Sequence, residues 1–226
     1  MNALSLALFL AAQAMPEPED VTVGIYVNQI TKLSLKENSF TVDFWIWFRW
    51  KNDELKPYET WEIVNGQIEK KSDKPDELKK IGNVNYAALR CVATIVKFWD
   101  ISRFPLDNHT LEILIEDVAR EEHKLRYVPD SENSNFDPDV RVAGWSLGRC
   151  LASVTTSLHR TNYGDASLPT GKESRYSSFS FSISFQFIHS FSMKLFMSFH
   201  IFILWHFYIL EKKRRYGLFI VDVYSI

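Results

Sequence analysis

The sequence predicts an all-β protein, an antiparallel β-sandwich followed by the first helix of a membrane domain. Three observations predict it. Apolar residues alternate with polar ones in several runs between about Val21 and Phe187. Stretches rich in Gly, Pro, Ser, Asn and Asp punctuate these runs. After Phe187 the alternation gives way to an almost continuous apolar segment.

The clearest strand is Phe40–Trp50. Phe40, Val42, Phe44, Ile46, Phe48 and Trp50 fall on one face, and Thr41, Asp43, Trp45, Trp47 and Arg49 on the other. Val21, Val23, Ile25 and Val27 make a shorter strand before it, joined through a polar hairpin turn at Leu33–Ser39. Leu111, Ile113 and Ile115 alternate with Glu112, Leu114 and Glu116. Phe179, Phe181, Ile183, Phe185 and Phe187 alternate with Ser180, Ser182, Ser184 and Gln186. Glu69–Lys80, Pro129–Pro138 and Thr161–Gly171 read as turns. The expected architecture is immunoglobulin-like: short antiparallel strands with turn signals and no soluble helix.

The chain of 226 residues suffices for one large β domain or two small domains, with a core that needs no staples. A net charge of −2 gives no footprint for nucleic acid. Cys91 and Cys150 form no CxxC, which excludes a zinc ribbon or a thioredoxin motif, and leaves them as a disulfide or as free thiols. Residues 1–14 read as a signal peptide, with an apolar run from Leu4 to Ala12 and small residues at Ala12 and Ala14. No Lys or Arg precedes Lys32, so an apolar N-terminal strand or helix is the other reading.

The expected domains are the exported sandwich, 15–188, and the start of a membrane domain, 189–226. The latter comprises a first helix at about 191–210, a basic linker at 211–217 and the start of a second helix. Leu195–Leu210 is apolar apart from Ser198, His200 and His206, and reaches a span of about 20 residues by extending back past Lys194. Glu211-Lys-Lys-Arg-Arg215 supplies the positive charge that marks a cytoplasmic side. The chain ends at Ile226, soon after a new apolar run, Leu218–Val221, and is expected to be C-terminally truncated.

Phe104-Pro-Leu-Asp107 sits between two strand-like runs, where the proline fixes an ordered turn. This segment resembles the signature loop of the Cys-loop superfamily of pentameric ligand-gated ion channels, the neurotransmitter-gated ion-channel ligand-binding domain. The positions flanking the loop are Lys97 and Leu111, so the cysteines are absent, as in prokaryotic members. Phe44–Asp53 resembles the family's second strand. Ser174–Ser177 with the Phe/Ser alternation resembles its last strand, and Glu211–Leu218 the linker to the pore helix. The resemblance covers about residues 21–220.

The resemblance implies a homo-pentamer in a plasma or inner membrane, its N-terminal domain periplasmic or extracellular. A small ligand or protons would bind between subunits and open a pore to permeating ions, with membrane lipids around the helices. It implies ligand contacts at Trp45, Tyr163 and Tyr176. It implies a coupling loop whose tip is Phe104, Pro105 and Asp107. The family's arginine partner of that aspartate falls at Gln186, and its first-helix proline at Ser198. Val118 and Val64 stand where aromatics are frequent in the binding loops. Glu112, Glu116, Asp117 and His109 are the candidate titrating groups, or else a solvated acidic face.

No catalytic residue, metal or cofactor is expected, and the chain is not expected to be an enzyme. Gly144-Trp-Ser-Leu-Gly148 fits the hydrolase pattern G-x-S-x-G, but a strand-like run follows it where the elbow needs a helix. His200 and His206 are spaced so that they face different sides of a helix, which disfavours a metal site. Asn108-His-Thr110 is a glycosylation sequon. The alternative to a channel subunit is a ligand-binding module, tethered or soluble, without a pore.

Overall fold

The computed structural model describes residues 17–102, 108–187 and 191–216. The chain divides into one compact unit ending at Gln186 and another beginning at Phe187. The expected signal segment, 1–14, and the apolar run after Gly217 lie outside the described residues.

The first unit is mostly β. Its larger sheet holds β1 (Glu19–Ser34), β2 (Ser39–Trp50), β4 (Gly66–Lys71), β5 (Glu77–Ile81), β6 (Val84–Val96), β8 (Leu125–Pro129) and β9 (Asn135–Phe136). Its smaller sheet runs in the order β10 (Trp145–Arg160), β11 (Glu173–Phe187), β7 (Asn108–Asp117), β3 (Trp61–Ile63). A single helical turn, α1 (Pro57–Thr60), begins at a proline, whose missing N–H costs nothing at a helix start.

β2 carries the core. Phe40, Val42, Phe44, Ile46 and Phe48 are all buried, while Asp43, Trp45, Trp47 and Arg49 on the other face are half-exposed. Burying one such phenylalanine contributes about 1.5–3 kcal/mol, so this face alone drives the strand into the interior. The small sheet meets it with Leu111, Ile113, Ile115, Phe179, Phe181, Ile183 and Phe185, all buried. The two sheets touch where Phe48 packs on Trp61 of β3, with ring centroids 6.2 Å apart. The Tyr127 N–H of β8 donates to the Ser177 hydroxyl of β11 at 2.8 Å. The hairpin from β1 to β2 turns at Leu35–Asn38, with Asn38 in the left-handed region at φ 50°.

Two expectations are corrected. The larger sheet is mixed, because β8 and β9 both join β1 in parallel. The chain enters β8 from β7 of the other sheet, and β9 follows β8 along the same edge of β1, so no tight hairpin forces an antiparallel neighbour. The stretch Glu69–Lys80, expected as a turn, contains the second half of β4 and most of β5, and only its middle turns. Both strands pair with β6, β4 opposite Cys91–Ile95 and β5 opposite Val84–Ala88. They lie at the sheet's edge, β5 exposed throughout, so charged residues suit them and also block further strand pairing.

In the second unit, α2 spans Phe191–Tyr216. The helix continues through the basic cluster expected as a linker. Glu, Lys and Arg are good helix formers, and cations favour a helix C-terminus. Phe199, Ile201, Phe202, Leu204, Trp205 and Phe207 are exposed on it. Among the described residues, no helix is long and apolar enough to cross a membrane.

Candidate functional site

A cavity of about 330 Å³ opens where all four strands of the small sheet come together at one end. β3 contributes Glu62, β7 contributes Glu116 and Asp117, β10 contributes His159 and β11 contributes Tyr176. Val118 and Tyr163 complete the lining, the latter from the connection between β10 and β11.

The strands dictate this arrangement. Glu62 lies directly opposite Glu116 in the antiparallel β3–β7 ladder. Glu116 is on the polar face of β7, yet it is only 4 % exposed. His159 Nε2 lies 3.2 Å from Glu116 Oε2. The His159 ring meets Tyr176 edge-on, with centroids 5.3 Å apart.

Asp117 is 1 % exposed and has all its acceptors engaged. The Thr60 hydroxyl and the Ala119 N–H, the latter at 2.9 Å, donate to it, and Arg120 Nη1 lies 3.4 Å away. Burial pushes the Tyr176 phenol up, with the nearby Tyr163 and Glu121 adding to the effect, so the site keeps a neutral hydroxyl. Beside it, Lys172 donates to Glu121 at 2.8 Å, which holds that carboxyl below the usual range and raises the lysine.

Tyr163 sits at φ 52°, a left-handed conformation that bulky residues seldom adopt. The turn imposes it. The Thr161 hydroxyl accepts the Tyr163 N–H at 3.0 Å, and the Asn162 side chain accepts the Gly164 N–H at 3.1 Å. Tyr163 is 68 % exposed and lines the cavity.

Of the three expected ligand contacts, Tyr163 and Tyr176 therefore share one cavity and Trp45 does not line it. Trp45 belongs to the outward face of β2 in the larger sheet, between Tyr26 and Arg90 in the ladder. Next to it Arg90 forms a bidentate pair with Asp43, at 3.0 and 2.8 Å. That hydrogen bonding holds Asp43 below the usual carboxylate range. A second concavity, of about 360 Å³, is lined here by Asp43, Lys70, Asp76 and Arg90 among others. Two residues on, on the same face, Trp47 covers Gly24, where a Cβ would run into the indole, and donates to Asp130 at 2.9 Å. Arg49 and Asn133 bond the same carboxylate at 2.9 and 2.7 Å.

No family model matches this chain, and no curated protein matches it.

The expected coupling residues Phe104, Pro105 and Asp107 lie outside the described residues. The two ends of their loop are described, and they are firmly held. The Lys97 N–H donates to the Asn38 carbonyl at 2.7 Å, tying one end to the β1–β2 turn. Trp99 is buried against His109, Trp145 and Phe185, with centroids 5.2, 6.3 and 6.2 Å away. Trp145 stacks on Phe185 at 4.3 Å. Gln186, at the place of the family's arginine, lies opposite Asn108, the residue after Asp107.

Other candidates resolve plainly. Ser146 lies on β10, an extended strand, so the hydrolase elbow is not formed at Gly144–Gly148. Cys91 and Cys150 are free, and burial pushes the Cys91 thiol up to about 12. Asn65 is a clamp between strands, bonding the Glu112 carbonyl at 2.8 Å and the Leu114 N–H at 3.0 Å. Glu112 accepts from the Ser180 hydroxyl at 2.7 Å. Glu62 and His159 escaped the sequence reading. β3 is three residues long, and the contact from His159 to Glu116 joins residues far apart in sequence.

Proposed function

We propose that this chain is the ligand-binding subunit of an extracellular ligand-gated ion channel, a β-sandwich bearing a small-ligand site at the boundary between two copies. One observation carries the reading. Tyr163 and Tyr176, the contacts that the loop resemblance implies, line one cavity with three carboxylates and a histidine. Trp45 and the Asp43–Arg90 concavity would be the facing half, supplied by a neighbouring copy in a homo-pentamer.

The lining suits a small organic cation. Carboxylates supply counter-charge, and phenol rings present their faces to a cation in a partly desolvated site. The chemistry is binding, without a catalytic step. Occupation would favour one arrangement of the ring of sandwiches, and the loop at 104–107 would pass that preference to membrane helices starting with α2. The N-terminal unit would then be exported and α2 held in the membrane.

Calorimetric titration of the full chain with tetramethylammonium tests the ligand site. Binding that weakens by about tenfold in Tyr176→Ala supports it, in line with one lost aromatic contact. Unchanged binding in both Tyr163→Ala and Tyr176→Ala would discard it. A second reading keeps the site and drops the pore. It is favoured by the construction of the cavity, whose lining belongs to the β unit and needs nothing from the helix. Ligand binding without ligand-gated current from reconstituted full chain would select it.

A further inference from the structure

The exposed apolar residues of α2 surround it. Phe199, Ile201, Phe202, Leu204, Trp205 and Phe207 are each more than half exposed. At about 100° per residue they fall in all four quarters of the helix, with gaps of about 80° or less between neighbours. Ser198, His200 and His206 are scattered among them and form no polar face. A partner helix or a protein groove takes one stripe of a helix. A stretch that is apolar all round suits a medium that covers every side, as acyl chains do. Leu195–Leu210 makes about 24 Å of helix, somewhat less than the hydrocarbon core of about 30 Å. A bilayer meets so short a stretch by thinning, which brings headgroups up to its ends.

At one end the character reverses within a turn. Lys212, Lys213 and Arg214 are exposed and make no ion pair among the described residues. Consecutive on a helix, they point in three directions about 100° apart and form a collar of positive charge. Lys212 Nζ stands over the Tyr208 ring, 5.6 Å from its centroid, so its charge is turned back toward the apolar stretch. Trp205 and Tyr208 lie within two turns of the collar, and such rings, apolar in body and polar at the edge, suit the boundary between hydrocarbon and water.

We propose that α2 binds anionic phospholipids in preference to zwitterionic ones, with its apolar stretch among the acyl chains and Lys212, Lys213 and Arg214 on the headgroup phosphates. This rests on the reading that holds α2 in the membrane, and is independent of the cavity. The phosphate of a zwitterionic headgroup is balanced by the ammonium of the same headgroup, whereas an anionic headgroup takes its counter-charge from elsewhere. The collar supplies it. Arg214 can fork two N–H groups onto one phosphate, and the lysines act as point charges. Each cation near an anionic surface strengthens binding by about fivefold. A soluble phosphate would meet the collar alone and gain nothing from the apolar stretch, so the partner is a lipid.

Trp205, the one tryptophan of α2, is the reporter. The full chain is reconstituted in vesicles that mix phosphatidylglycerol with phosphatidylcholine, with bromine on the acyl chains of one lipid or the other. Quenching of its fluorescence, taken as the difference from Trp205→Phe, reads which lipid lies beside the helix. At about 0.01 M salt the preference for phosphatidylglycerol is expected to be about fivefold or more, and at about 1 M salt it should vanish. In the triple variant Lys212→Gln, Lys213→Gln, Arg214→Gln both lipids should quench equally at either salt concentration. Urea unfolding of the β unit checks that each variant keeps its fold. Equal quenching in the wild-type chain at low salt, or a preference that survives in the triple variant, overturns the proposal alone. Quenching by neither lipid overturns it together with the reading that holds α2 in the membrane.

Discussion

The two ends of the small sheet are made from the same three strands in opposite chemistry. β7 carries His109 near its start and Glu116 and Asp117 at its end; β11 carries Tyr176 near its start and Phe185 near its end; β10 carries Trp145 at its start and His159 near its end. Because β11 runs antiparallel to β7, Phe185 pairs with His109 at the dry end, and Tyr176 falls at the end of Glu116. At one end a histidine packs among indole and phenyl rings, and at the other a histidine faces a carboxylate in an open cavity. The first end is closed by packed aromatic rings, and the second opens into the charged cavity.

Breaking the dry end should have the largest effect on stability. Trp99→Ala and Trp145→Ala each remove a buried indole, and each should cost about 3–5 kcal/mol in urea unfolding. A cost equal to that of a surface substitution would mean that the cluster carries little of the packing energy.

At the charged end the corresponding losses are smaller, because water reaches the cavity. Asp117→Ala strips Thr60 and Arg120 of their acceptor and should cost about 1–3 kcal/mol. Tyr176→Ala, by contrast, should shift binding far more than unfolding.

These two ends differ in how much of them could be read from sequence. The alternation of β2 and β11 announced the core directly, since the buried apolar residues recur at every second position, Phe40 to Trp50 and Phe179 to Phe185. Tyr163 and Tyr176 were expected from the family resemblance of their Gly- and Pro-rich hairpin, and both line the cavity. The cavity floor was not legible. β3 is too short for a period, and Leu158-His159-Arg160 shows no alternation that marks a face. The parallel partners of β1 were equally hidden, because a five-residue strand such as β8 carries no signal for direction. Charge in β4 and β5 imitated a turn, although at a sheet edge it is compatible with a strand.

Two finer measurements sharpen the contrast. Lys172→Gln removes the partner that depresses Glu121. The folded-state carboxyl lies below its unfolded value, so the pair stabilises the wild type above that unfolded value, about pH 4.3, and the benefit is lost as pH falls through the folded value. The lysine is raised in turn, so the benefit is also lost in alkali as pH rises through its folded value. The melting-temperature gap between wild type and variant should therefore be widest near neutrality and close at both extremes. The smallest effect concerns the thiols. Cys91 should resist an alkylating reagent until the chain unfolds, because its pKa is pushed up to about 12 by burial. Cys150, half-buried on β10, should react in the native state.

The central claim is that the cavity with Tyr163 and Tyr176 on one copy meets Trp45 on the next. Mixing Trp45→Ala chains with Tyr176→Ala chains tests it most directly. Each variant alone should bind tetramethylammonium weakly. The mixed assembly should regain wild-type affinity at the boundaries where an intact cavity faces an intact Trp45. Binding that stays weak in the mixture, although the two variants co-assemble, would contradict a site shared between copies.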